Sequence, residues 1–154
     1  MESEELRGKL LSEDIQTYKT LLANVPPDHL ARIARALLEL SMLEVPVGKE
    51  VANVAKTAAN PDRWRQGHAA FDLVRDRVLE WESKDTAPSD SSYYVLLVAE
   101  NAARVIYNAT EPLDPFDDDS GAWLVMTFIQ LSRRLNSSSL VERALNVFRD
   151  EATA

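Results

Sequence analysis

Hydrophobic residues recur along this chain at spacings of three and four, the period of α-helices that turn one face to a core. In residues 12–25, SEDIQTYKTLLANV, the side chains of Ile15, Tyr18, Leu21, Leu22 and Val25 share a face, and Ser12 stands where a cap is expected. The ten residues before it predict a short helical lead-in, weakened by Gly8. Pro26 and Pro27 then break the chain, and Pro27 suits the first turn of a new helix. That helix, over 27–43, carries a stripe of Leu30, Ile33, Ala34, Leu37, Leu38 and Met42, with Arg32, Arg35 and Glu39 off it and Pro46 and Gly48 closing it. A shorter helix is predicted over 49–60, where Val51, Val54, Ala55 and Ala58 lie on one side before Asn60 and Pro61 stop it.

From about 62 to 82, the residues Trp64, Gly67, Phe71, Val74, Val78 and Trp81 form a seam at helical spacing. Gly67 costs a helix roughly 1 kcal/mol relative to Ala, which a close helix–helix contact would justify. A polar linker, KDTAPSDS, follows. The stretch SSYYVLLVAENAARVIYNAT, 91–110, is apolar around most of its circumference, as is GAWLVMTFIQLSRRL, 121–135. Helices of that kind need neighbours on several sides. Arg133 and Arg134 suit the C-terminal end of the second, where the helix dipole favours cations. Ser139 and Glu142 match a capping box for a last helix that uses Leu140, Ala144, Val147 and Phe148. No segment alternates with the period of two that a strand requires. The pattern predicts an all-α, single-domain bundle over 1–154, of six to seven helices, with a central buried hairpin formed by helices near 92–109 and 121–135.

Composition adds little to that fold but removes many chemistries. With 154 residues and 45% hydrophobic content the chain can bury a sizeable core. There is no cysteine, which excludes disulfides, thiolate nucleophiles, Cys-ligated zinc and iron–sulfur clusters. The four glycines, Gly8, Gly48, Gly67 and Gly121, cannot assemble a phosphate-cradling loop. His29 and His68 belong to neither an HExxH nor an ExxH pair, so no helical di-metal site is expected, and no cofactor. The N-terminus is charged and lacks the apolar core of a signal peptide, and no apolar run is long enough to span a membrane. A cytoplasmic protein is expected, and the sequons at Asn108 and Asn136 are then chance matches.

Twenty-five acidic residues stand against seventeen basic ones, a net charge of −8. Such a field repels nucleic-acid backbone and favours a basic protein partner. Arg63, Arg65, Arg75 and Arg77 are interleaved at helical spacing with Asp72, Asp76, Glu80 and Glu82, which reads as a solvated, internally paired face.

Two features stand out as candidate binding residues. One is the polar stripe Glu100, Asn101, Arg104 and Asn108 on an otherwise apolar helix, where Glu100 and Arg104 are one turn apart in the favourable order for an ion pair. The alternative is that this face simply meets solvent or satisfies nearby backbone. The other is the acidic loop EPLDPFDDDSG with Phe116, Asp117, Asp118 and Asp119. It is not an EF-hand: with Gly121 as the sixth loop position, Phe116 falls first and Thr127 takes the place of the closing Glu. Asp118, Asp119 or Ser120 is instead placed to cap the following helix.

Arg63 and His68 form an R-x4-H spacing that resembles the R-x4-6-H motif of HEPN ribonucleases, small all-α domains. The resemblance covers two residues and departs from the family at Trp64, where a polar residue is usual. It implies RNA cleavage by Arg63 and His68, with a homodimer bringing two motifs together; the competing reading makes His68 a core-edge side chain. The expectation for function is a non-enzymatic protein-binding module of a bacterial type, such as an immunity or antitoxin-like inhibitor of a basic partner. The alternatives are the HEPN-like ribonuclease and a small-ligand-binding bundle that uses the Glu100–Arg104 stripe.

Overall fold

In a computed structural model, which describes residues 3–45, 67–83, 91–110 and 119–151, every regular element is helical. In chain order these are α1 (Ser3–Leu10), α2 (Ile15–Leu22), α3 (Pro27–Glu44), α4 (Gly67–Glu82), α5 (Ser91–Thr110), α6 (Ser120–Arg134) and α7 (Ser138–Glu151). The helix expected over 49–60, the start of the one expected from 62, the stop at Pro46 and Gly48, the linker after 83 and the acidic loop up to Asp118 lie outside the described residues. So do the side chains of residues 67–71, 81 and 107–110.

The apolar stripes meet as the periodicity predicts. Ile33, Leu37 and Leu38 of α3, Leu96, Ala99, Ala102 and Ile106 of α5, and Leu124, Phe128 and Ile129 of α6 belong to one buried cluster. α5 packs on α3, α4 and α6, and its alanines let neighbours approach on several sides. α6 in turn packs on α2, α3, α5 and α7. The expected α5–α6 hairpin is therefore at the centre, joined there by α3. Each large apolar side chain taken out of water contributes about 1.5–3 kcal/mol. α4 is held against α5 through the buried Val74 and Val78, and α7 closes the bundle over α3 with Leu140, Ala144, Leu145 and Phe148.

Three local expectations need correction. Asp14, not Ser12, caps α2: its carboxylate accepts from the Gln16 N–H at 3.0 Å and from the Thr17 hydroxyl at 3.0 Å. Ser12 instead donates to the Lys9 carbonyl at 2.7 Å and closes α1. The reversal falls at Glu13, whose φ of 50° lies in the left-handed region. Tyr18 fastens this turn: its hydroxyl donates to the Leu10 carbonyl at 2.6 Å and accepts from the Glu13 N–H at 3.0 Å.

The second correction is at α7, where Ser137 rather than Ser139 accepts from the Leu140 N–H, at 3.3 Å. The cause is the end of α6. Asn136 takes a φ of 52°, the Asn136 N–H donates to Arg133 O and the Ser137 N–H donates to Ser132 O, each at 3.0 Å. This is a Schellman ending with Asn in the left-handed position, and it delivers Ser137 to the start of the next helix. Glu142 is drawn away to Arg7 of α1 at 2.6 Å. Thirdly, Asp119 occupies the cap position of α6 but makes no side-chain capping bond.

Candidate functional site

α5 presents its polar residues along the seam with α4. Glu100 is the anchor. Its carboxylate accepts from Arg75 Nη1 of α4 at 2.8 Å, with the Glu100 side chain 13% exposed and the Arg75 side chain 47% exposed. The cation that holds Glu100 thus comes from the neighbouring helix, a partner invisible to the i,i+4 rule. Arg104, one turn on, is half-buried on the same face. Asn101 donates to the Leu97 carbonyl of its own helix at 3.0 Å, so its amide serves the backbone.

Toward the start of α5, Tyr93 donates to Glu82 Oε1 of α4 at 3.0 Å. Its ring meets Tyr94 edge-on, with centroids 5.7 Å apart. The Arg134 guanidinium of α6 lies 5.2 Å from the Tyr94 ring centre, a cation–π contact. The face is thus a row of charged and aromatic groups linking α4, α5 and α6.

Arg75→Ala leaves the Glu100 carboxylate part-buried without that cation. The expected loss is about 1–2 kcal/mol, below the ~3–5 kcal/mol for breaking a fully buried pair. Replacing both, Arg75→Ala with Glu100→Met, is expected to recover most of it, which a double-mutant cycle in urea would measure.

The same seam carries an alkaline sensitivity. Burial first, and then the hydrogen bond and charge of Glu82, push the Tyr93 hydroxyl from 10.0 up to about 12. Away from the seam, burial also raises Tyr18, which fastens the turn between α1 and α2. The unfolded chain therefore releases these protons first as pH rises. Their contribution to stability is complete below pH 10.0 and, for Tyr93, is lost as pH climbs toward about 12. Thermal melts across this range should fall more gently for Tyr93→Phe than for the wild type.

The acidic turn is tied elsewhere. Asp119 Oδ1 pairs with Lys19 Nζ of α2 at 3.0 Å, whereas Glu100 looks to α4. The two sequence features thus share a hairpin but engage different neighbours. Phe116, Asp117, Asp118 and Arg63 lie outside the described residues; His68 lies in α4 and Asn108 in α5, with their side chains outside the described part.

Several other polar groups are tied within the fold. His29 Nδ1 sits 3.1 Å from the Glu151 carbonyl and 3.3 Å from its carboxylate, and Arg32 Nε donates to the same carboxylate. Buried Ser41, Thr127 and Ser132 donate to carbonyls of their own helices. Among the described residues no group of three His, Asp or Glu could hold a metal ion, and no described helix is long and apolar enough to cross a membrane.

Sequence reasoning missed one surface. On α4 the expected internal pairing is only partial: Arg77 bonds Glu80 at 3.0 Å, but Arg75 reaches across to Glu100. Asp72 and Asp76 are left exposed, with no hydrogen bond or ion pair among the described residues. The available signal was their i,i+4 spacing together with Leu73 and Leu79, both off the Val74/Val78 seam. No family model matches this chain, and no curated protein or solved structure matches it either.

Proposed function

We propose that this chain is a non-enzymatic protein-binding module whose partner is a basic protein, acting as an immunity or antitoxin-like inhibitor does. The supporting observation is how its charges are distributed. The net charge is −8. Many of its cations are held by its own carboxylates: Arg7 by Glu142, Lys19 by Asp119, Arg32 by Glu151, Arg75 by Glu100, Arg133 by Glu13 and Arg143 by Glu44. Cations neutralised within the fold make a poor phosphate-binding track, and the surplus carboxylates set the sign of the outward field. A field of that sign steers basic proteins into encounter and raises their association rate, with a strong dependence on salt.

The test is affinity capture of the full chain from its native host at low ionic strength. The expected result is one stoichiometric protein of high isoelectric point that is released as salt rises. Recovery of no stoichiometric protein, or of nucleic acid instead, would overturn the reading.

A further inference from the structure

Helix α4 carries its apolar residues on two sides. Val74 and Val78 are buried against α5, yet Leu73 is 42% and Leu79 49% exposed. At 3.6 residues per turn, Asp76 falls directly opposite the buried valines, with Asp72 one turn before it. Leu73 and Leu79 flank this acidic ridge on either side. The face is unlike the rest of the described surface, where Leu43 and Trp123 are the remaining large exposed apolar side chains and stand on separate helices.

We infer that this outer face of α4 is the docking surface for the partner, and that what docks is a basic amphipathic helix. The inference rests on the reading of the chain as a binder of a basic protein. Two leucines astride a ridge can receive the apolar edge of a helix, while Asp72 and Asp76, which no cation among the described residues pairs with, meet its lysines or arginines. A second copy is disfavoured, because isologous pairing about a two-fold axis would set these carboxylates against one another. Glu80, already bonded to Arg77, would extend the ridge only by exchanging that partner.

The probe is a synthetic helix of leucine and lysine with leucines at i, i+3, i+4 and i+7, titrated into the isotopically labelled full chain. The control is a scrambled peptide of the same composition with no apolar face. Chemical-shift changes are expected along residues 72–83. The joint variants Leu73→Ser with Leu79→Ser and Asp72→Asn with Asp76→Asn should each weaken binding about tenfold, the scale of losing an anchoring contact, with the melting temperature held. Glu4→Gln with Asp150→Asn removes the same charge from α1 and α7 and should leave binding nearly unchanged.

Equal binding of the scrambled peptide, equal loss in the Glu4/Asp150 variant, a footprint on another face, or no binding would each overturn the inference. So would a wild-type dimer in light scattering that the leucine variant dissolves. If the partner captured from the host binds the α4 variants as well as the wild type, the docking face is wrong while the wider reading stands. If no partner is captured, the wider reading falls.

Discussion

Tyr18→Phe is expected to lower stability by about 2–4 kcal/mol, since each buried polar group left unpaired costs ~1–3 kcal/mol. The substitution keeps the fully buried ring and removes only the hydroxyl. Two backbone groups lose their partner: the Leu10 carbonyl at the end of α1 and the Glu13 N–H in the reversal. The carbonyl lies in the buried bond and contributes the larger share; the amide is partly exposed and contributes less. Glu13 also holds a left-handed φ of 50°, which a residue with a side chain adopts at a cost, so loosening its amide frees a strained turn. A urea titration should show a lower midpoint with an unchanged slope. A loss under 0.5 kcal/mol, roughly the level of a neutral surface change, would mean that water replaces the hydroxyl.

Gly121→Leu is expected to cost at least about 1–3 kcal/mol, the usual range for an overfilled core. Gly121 is buried in the first turn of α6, where α2 packs. A methyl group added there would stand 3.1 Å from Leu22 Cδ1 and 3.7 Å from Leu30 Cδ2. Gly121→Ala is the informative companion. It gains roughly 0.5–1 kcal/mol of helix preference and asks Leu22 to move by a few tenths of an ångström. The alanine variant should therefore melt close to the wild type and the leucine variant well below it, a contrast that calorimetry can read.

The pattern of apolar positions was enough to expose the helices, because a helix face repeats often enough to be read locally. The stripe on α3 illustrates it: Ile33, Ala34, Leu37 and Leu38 are all buried. Caps were less legible for a physical reason. Ser12 and Asp14, and likewise Ser137 and Ser139, are all competent capping residues. Which one caps depends on where the chain reverses, and that is fixed at Glu13 by Tyr18 and at Asn136 by the left-handed ending of α6. Neither is a local preference strong enough to read from spacing.

The candidate site divides in the same way. That Glu100 sits on a polar edge of an apolar helix was visible in the sequence. That its cation is Arg75 was not, because the pairing depends on α4 lying beside α5. Once Arg75 turns across that seam, Asp72, three residues before it, loses the one cation at helical spacing on its own helix. Asp76 never had one: its neighbours at three and four residues are Asp72, Leu73, Leu79 and Glu80.

The ion pairs that join the two ends of the described chain bear on how the bundle assembles. Arg7 of α1 reaches Glu142 of α7, and Arg32 of α3 reaches Glu151 at the end of α7. Contacts so far apart in sequence close very long loops, whereas the α5–α6 hairpin closes a short one. The hairpin is therefore suited to form early, with α1 docking onto α7 only after most of the core is in place. Interactions that form so late have little influence on how fast a chain folds and much on how long it stays folded. The surface pairs at the chain ends, each worth about 0–1 kcal/mol, are thus better understood as adding modestly to the lifetime of the native state than as guiding the chain to it.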